Sequence, residues 1–327
     1  MMRALLCHEL GEISKLEVGE TGRPVIGSDQ VRIGVKASGV NFADILMVEG
    51  KYQVKPALPF VPGLEAAGEV LEVGADVGDH VEVGDRVLAF AGHGGAHAEE
   101  VVVPGGIVAK IPDAMDYVTA AALPVAHGTA QFALDYRGQL KAGETLLVLG
   151  AAGGVGLAAV EVGKLLGARV IAAASSAEKL EQARQHGADE LVNYREENLR
   201  DRVRALTDNQ GVDVVFDPVG GDAFTQSVRC IAWEGRILVI GFASGDIPKV
   251  AANMILVKNF SVMGVVFGEH CSRFPDDSRA LLGKLLDGWS AGLIRPQVME
   301  TCGLDGAQAA LSKVANRRAV GKLIITY

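Results

Sequence analysis

The segment Gly150-Ala151-Ala152-Gly153-Gly154-Val155-Gly156 constrains the fold more than any other. The apolar run Leu146 to Leu149 leads into it, and the alanine- and leucine-rich stretch Leu157 to Leu166 leads out. It reads as a strand entering a helix through a turn almost free of side chains. Such a turn exposes backbone N–H groups at a helix N-terminus, where aligned peptide dipoles add partial positive charge. A phosphate is the natural occupant. The pattern G-x-G-x-x-G falls on Ala151, Gly153 and Gly156, with Ala in the first place and Gly150 just before it. Both flanks have the strand and helix character that a dinucleotide turn requires. Gly154 and Val155 complete the candidate phosphate-facing set.

Around this turn the sequence alternates. Strands are expected at Leu146 to Leu149, Val170 to Ala174, Glu190 to Val192, Val212 to Phe216, Ile237 to Ile240 and Phe260 to Val266, with helices between most of them. That rhythm implies a parallel sheet with helices on both faces. Ser175-Ser176-Ala177-Glu178 reads as a capping box for a helix that Gly187 stops. From Met2 to about Lys110 the pattern is short β instead. Val31, Ile33 and Val35 alternate with Arg32, Gly34 and Lys36, and Gly68 to Val73, Asp85 to Phe90 and His97 to Val103 are further strands. A barrel-like β domain follows from that pattern. Helical spacing takes over at Pro112 to Leu123, and Pro124 suits the first turn of a helical piece, Val125 to Tyr136.

After Gly268 the alternation stops. Leu281, Leu282, Leu285, Leu286 and Trp289 share a helical face, Ala307 to Ala315 forms another helix, and Lys322 to Tyr327 reads as a last strand. These elements have no place in the parallel sheet and are assigned to the β domain. The expected architecture is therefore α/β: residues 124–267 form a doubly wound, six-stranded Rossmann domain, and residues 1–123 and 268–327 form a discontinuous β-barrel-type domain.

A chain of 327 residues, 49% hydrophobic, is long and apolar enough for two real cores. Its net charge of −9 argues against a surface that collects nucleic acid. Two runs lack charge, Tyr117 to Leu134 and Thr145 to Val160. Pro124, His127 and Gly128 interrupt the first and the glycine turn interrupts the second, so neither reads as a membrane span. The apolar part of the N-terminus is too short for a secretory signal, and a cytoplasmic protein is expected. Cys7, Cys230, Cys271 and Cys302 form no C-x-x-C pair and are expected as reduced, buried or partly buried side chains.

The end of the second strand of the alternating region identifies the dinucleotide. An NAD site places Asp or Glu there, about 20 residues beyond the glycines, to bind the ribose 2′-hydroxyl. Here the stretch is Ala172-Ala173-Ala174-Ser175-Ser176, with no carboxylate to repel a 2′-phosphate. Ser175 can donate a hydrogen bond, and Lys179 follows one helical turn later. NADPH is the expected cofactor.

Several motifs resemble the medium-chain dehydrogenase/reductase superfamily, and in particular its zinc-free, ζ-crystallin-like quinone oxidoreductases. They are Gly39-Val40-Asn41-Phe42-Ala43-Asp44, Leu58 to Gly68, Val83-Gly84-Asp85-Arg86-Val87, the glycine turn with Gly143-Glu144 and Lys164 around it, and Asp217-Pro218-Val219-Gly220-Gly221. The resemblance runs from end to end and implies a GroES-like fold for the β domain. One departure is Glu161, where the family signature has Gln. Zinc-dependent relatives carry Cys where this chain has Asn41, and Gly-His-Glu where it has Gly63-Leu64-Glu65; their closely spaced cysteines are missing too. No metal site is expected, and His93 and His97 read as loop or surface histidines.

The resemblance implies hydride transfer from NADPH to a quinone, with Asn41, Asp44, Tyr52 and Thr129 lining the nicotinamide pocket. Tyr52 would donate a hydrogen bond or a proton to a developing oxyanion. Leu46 stands where relatives often show a second aromatic. The resemblance also implies adenosine-phosphate contacts from Tyr194 and Arg317, and backbone contacts near the nicotinamide from Gly241, Val265 and Phe267. Phe242 and Phe267 read equally well as core. A homodimer joined through the edge strand Phe260 to Val266 is expected. Two other activities fit the same residues: reduction of an α,β-unsaturated carbonyl, and NADPH binding with little catalysis, as in ζ-crystallin-like structural proteins.

Overall fold

In the computed structural model, which describes residues 1–327 apart from Val54 and Arg317, the chain divides into two units. One comprises Met1–Gly128, Gly268–Asp287 and Pro296–Tyr327; the other comprises Thr129–Phe267 and Gly288–Arg295.

The first unit begins with an antiparallel ribbon of β1 (Met2–Leu6) and β2 (Glu17–Thr21). The alternation at Val31, Ile33 and Val35 belongs to the long strand β3 (Gln30–Val40), which leads into α1 (Phe42–Val48). β4 (Glu65–Val73), β5 (Arg86–Phe90), β6 (Glu100–Pro104) and β7 (Val108–Lys110) follow, then α2 (Tyr117–Ala121) and α3 (Ala126–Gln131). β3 pairs with both β4 and β6, and its inward residues Val31, Ile33 and Val35 meet Val70, Val87 and Val101 in one apolar core.

The second unit is the alternating region. Its elements are β8 (Thr145–Leu149), α4 (Gly154–Leu165), β9 (Arg169–Ala174), α5 (Ala177–Gln185), β10 (Glu190–Asn193), α6 (Leu199–Leu206), β11 (Val212–Asp217), α7 (Gly221–Cys230), β12 (Ile231–Val239), α8 (Ala252–Lys258) and β13 (Ser261–Gly264). All six strands are parallel, in the order β10-β9-β8-β11-β12-β13. The order reverses at β8, the doubly wound arrangement that places ligands at the carboxyl ends of the strands. Leu147, Leu149, Ile171, Val215 and Ile237 fill its core with no exposure.

The chain returns through α9 (Phe267–Arg273), α10 (Pro275–Ser290), β14 (Val298–Gly303), α11 (Ala307–Ala315) and β15 (Lys322–Thr326). β15 runs antiparallel to β3, with Ile324 opposite Gly39, so the last strand does close onto the β unit. Among the described residues no helix is long and apolar enough to cross a membrane. Cys7, Cys230 and Cys271 are buried, and all four cysteines are free.

Four local expectations differ from the structure. β12 begins at Ile231 instead of Ile237; Trp233 and Glu234 in its first half are exposed, and Glu234 has φ +58°, so the segment lacks a strand's apolar signature. β14 was not expected, because four of its six residues, including Glu300 and Thr301, give no inward-facing stripe. The helix after Pro124 loosens to a π-helix over Phe132–Arg137. The cap of α5 is Ser176, which accepts from Lys179 N at 3.4 Å, not Ser175. Residues 288–295 also group with the nucleotide-type unit, since Arg295 N donates to the Glu161 carboxylate and Gly288 packs against Leu165.

Candidate active site

The glycine turn is built from backbone. Gly150 adopts φ +59°, which admits no Cβ without strain. Ala151 N–H donates to Ala173 O (3.0 Å) and Gly153 N–H to Gly150 O (3.0 Å), so these two groups hold the turn and are not free for a phosphate. Gly153 caps α4, and the first N–H groups of that helix, from Gly154 and Val155, have no intrahelical acceptor. A Cβ on Gly156 would run into Gly150 O and lie 2.8 Å from Ala151 Cα, so only glycine lets the helix approach the strand this closely. A Cβ on Gly153 would meet nothing nearer than Gly150 O at 3.5 Å, which leaves open space over the helix end.

Beside the turn, Tyr194 N–H donates to Ala174 O at 3.2 Å, bringing the end of β10 against the end of β9. Ser175, Lys179 and Tyr194 therefore gather at neighbouring strand ends, all half-buried. With Ser176 spent on the cap, the Ser175 hydroxyl is left outside it. No carboxylate occupies the end of β9. A neutral hydroxyl, an ammonium and a phenol suit a 2′-phosphate, and the helix end with open space above it suits a pyrophosphate. Arg317, expected to join them, lies outside the described residues.

At the far strand ends, Gly241 N–H reaches Asp217 O (3.4 Å) and Val265 N–H donates to Val239 O (3.1 Å). A ligand would therefore find the Val265 carbonyl, not its N–H. Phe267 is buried, its ring 5.8 Å from that of Phe132, whereas Phe242 is 39% exposed. The two rings thus separate into core and surface. Asp217 turns the chain after β11 by accepting from Val219 N and Gly220 N, both at 2.8 Å, and burial pushes its carboxyl up despite those donors. Thr129 is half-buried on α3. Glu161 is buried and bonds His186 Nδ1 at 2.6 Å, a clasp from α4 to the end of α5.

In the first unit the expected residues belong to a larger buried polar cluster. Asn41 caps α1; its Nδ2 donates to Glu65 Oε1 (2.8 Å) and Gly39 O (3.2 Å), and its Oδ1 accepts from Lys322 Nζ at 2.6 Å. Lys322 Nζ also reaches Glu65 Oε1 at 2.5 Å and Val40 O at 3.1 Å. Glu65 Oε2 accepts from Val125 N at 2.7 Å. Glu65 is fully buried and Lys322 nearly so, and a Cβ on Gly39 would collide with the Glu65 carboxylate. An ion pair withdrawn from water persists only when its remaining hydrogen bonds are met, as they are here.

Asp44 is also fully buried. Its Oδ2 accepts from Asn41 N at 2.7 Å and faces His97 Nε2 at 3.6 Å, while its Oδ1 has no hydrogen-bond partner. His97, expected on a loop surface, is fully buried; a Cβ on Gly63, at φ +104°, would lie 2.7 Å from its Nδ1, so a bare backbone makes room for the ring. Ser38 Oγ lies 3.0 Å from His97 Nδ1 and 3.1 Å from the Tyr327 hydroxyl. Tyr52, half-buried, has its phenol pushed up by burial and further by the charge of Asp44. Sequence reading missed Ser38, Glu65, His97, Lys322 and Tyr327 as site residues. Only Glu65 carried a signal, its place in Gly63-Leu64-Glu65. Among the described residues no three His, Cys, Asp or Glu side chains gather as a metal set.

A parallel sheet with a glycine turn at its reversal point, joined in sequence to a β unit holding a buried polar cluster, defines a dinucleotide-dependent dehydrogenase or reductase. Residues 27–113 match the alcohol dehydrogenase GroES-like domain, and residues 154–285 match the zinc-binding dehydrogenase domain. The chain is 43% identical to a quinone oxidoreductase-like protein 2 homolog of Nematostella vectensis over 325 residues, covering 99% of this chain and 88% of that one. Among solved structures it resembles a quinone oxidoreductase of Pseudomonas syringae (TM-score 0.93, 32% identity, all of both chains). It also resembles an Escherichia coli quinone oxidoreductase complexed with NADPH (TM-score 0.91, 28% identity, 99% of this chain and 100% of that one). The chain belongs to the quinone oxidoreductase branch of the medium-chain dehydrogenase/reductase superfamily and is an oxidoreductase.

Proposed function

We propose that this chain is an NADPH-dependent quinone reductase that works without a metal. The observation that carries the reading is the state of Asn41 and Glu65. Asn41 stands where zinc-dependent relatives place a thiolate, and both side chains are already bound by the Lys322 ammonium. A metal would find a cation in its place and, among the described residues, no ligand set around it. Without a Lewis acid, the substrate has to accept hydride readily, as a quinone does.

NADPH supplies the hydride when bound. Gly154 and Val155 N–H groups receive its pyrophosphate, and Ser175, Lys179 and Tyr194 hold the 2′-phosphate, with Arg317 as a further cation. Gly241, Phe242, Val265, Phe267 and Thr129 line the nicotinamide end. Tyr52, half-buried, is the residue that faces the reacting carbonyl: its phenol, kept protonated by burial and the nearby Asp44 carboxylate, donates to the oxygen as charge develops on it. Asp44, fully buried, acts from behind by holding Asn41 N–H. Asn41 acts by fixing Glu65, Lys322 and the start of α1. The role of the protein is otherwise orientation and exclusion of water.

The edge strand β13, within residues 260–266, pairs with its copy in a second chain to form a homodimer; it has a neighbour on one side only, and Val266, Leu256 and Val257 near it are exposed. The deciding experiment is NADPH oxidation with a panel of quinones, 2-alkenals and cyclic enones. Quinones should be turned over fastest. Faster turnover of an alkenal would make the chain an enone reductase, and no oxidation with any of them would make it a cofactor-binding protein.

A further inference from the structure

The residues assigned to the 2′-phosphate ride on one piece of chain. α5 starts beside Ser175 and Ser176 and bears Lys179 in its first turn, and β10 follows it and delivers Tyr194 to the end of β9. Between α5 and β10 the chain turns through His186, Gly187 at φ +103°, Ala188 and Asp189. Within α5 the buried residues are Leu180 and Ala183, a thin apolar anchor for a helix that has to hold a cation in place.

α4 fastens that turn from the side. Glu161 is buried; its Oε1 lies 2.6 Å from His186 Nδ1, and its two oxygens accept from Arg295 N at 3.2 and 3.1 Å. Further along α4, Lys164 Nζ donates to both oxygens of Asp189 at 2.9 and 2.8 Å, and Asp189 Oδ2 accepts from Val170 N of β9 at 2.7 Å. The Lys164 pair is half-exposed and screened by water, so it holds weakly. The Glu161–His186 bond is shielded on both sides and is the stiffer of the two. α4 is also the helix whose first N–H groups, from Gly154 and Val155, are assigned to the pyrophosphate. One helix therefore sets the spacing between the two phosphate sites.

We propose that Glu161 and His186 are positioning residues for NADPH, a clasp that holds α5 and β10 at the distance from the glycine turn that the 2′-phosphate requires. The inference rests on the assignment of that phosphate to Ser175, Lys179 and Tyr194. Glu161 lies about two helical turns beyond Gly154, and Lys179 about two turns before His186, so the clasp acts through the helices and not by touching the cofactor. When it is cut, α5 and β10 shift against α4 and the contacts to the 2′-phosphate loosen. The pyrophosphate contacts, which NADPH and NADH share, remain. The readout is therefore the ratio of the two affinities, which a general loss of stability leaves unchanged.

Fluorescence titration of the full chain with NADPH and with NADH tests this without turnover. H186A, which spares the Glu161–Arg295 contact, should raise Kd for NADPH about threefold with Kd for NADH unchanged. E161Q should keep the unmutated ratio, because an amide offers both a donor and an acceptor and preserves the bond in either tautomer of His186. K164M should lower the preference for NADPH less than H186A, and it decides the matter if H186A does not fold. Equal changes in both affinities in H186A, or none, overturn the proposal. A preference for NADPH that rises in E161Q would mark the carboxylate as a charge repelling the phosphate and would overturn it as well. Lys179→Ala checks the underlying assignment: if it leaves the ratio unchanged, the 2′-phosphate does not sit here and the proposal falls with that reading. If Lys179→Ala lowers the preference and H186A does not, the clasp alone is overturned.

Discussion

The two candidate regions are made of different material. The glycine turn consists of seven consecutive residues, and its working groups are backbone N–H donors placed by glycine geometry. The polar cluster of the β unit consists of side chains from residues as far apart as Ser38 and Tyr327, 289 positions along the chain, with Ser38, Asn41, Asp44, Glu65, His97 and Lys322 all withdrawn from water. A site made of backbone tolerates change in the side chains around it and fails when a Cβ enters. A site made of buried charges fails when one partner is removed, because the other is left unpaired. The first should control cofactor affinity, the second stability and turnover.

The largest expected effect comes from breaking the cluster. Lys322→Met leaves the fully buried Glu65 carboxylate without its cation and should cost about 3–5 kcal/mol in urea unfolding. Adding Glu65→Leu should recover much of that loss, since the unpaired charge is then gone. A double variant as unstable as the single one would show that the pair is not the cause.

Gly156→Val attacks the other region. Its new atoms meet Gly150 O and Ala151 Cα, and overpacking of this kind costs about 1–3 kcal/mol. NADPH fluorescence titration should show binding lost while the fold persists; unchanged affinity would mean that the turn does not carry the cofactor. Lys179→Ala is milder. One charge-assisted bond at a half-exposed site is worth about 1.5 kcal/mol, so KM for NADPH should rise about tenfold with KM for NADH unchanged. Equal changes for both cofactors would remove Lys179 from the 2′-phosphate site. Ser176→Ala should have the smallest effect, about 0.5 kcal/mol of stability by the same urea method, because the cap bond is long at 3.4 Å. A loss several times larger would show that Ser176 does more than cap α5.

How much could be read in advance follows the same division. The turn, the strands of the parallel sheet and the helix Ala307–Ala315 are written in contiguous residues, as local periodicity and glycine spacing. The return of β15 onto β3 was legible from exclusion, since a final apolar strand had no place in the sheet. β14 was hidden because an exposed edge strand has no apolar stripe, and the π-helical turn at Phe132 because its pattern is that of any helix. In the site, Asn41, Asp44 and Tyr52 were legible only through family motifs. His97 and Lys322 were not, because a lone histidine or lysine gives no sign of burial, and their partners come from β3, β4 and α1. Burial of a charge is decided by tertiary contact, which local sequence does not record.

The most direct test of the account compares NADPH with NADH, 1,4-benzoquinone as acceptor, on protein stripped of metal by 1,10-phenanthroline. The account predicts full activity after stripping and a kcat/KM for NADPH well above that for NADH. Activity lost on chelation and restored by zinc, or an equal or better kcat/KM for NADH, would contradict it.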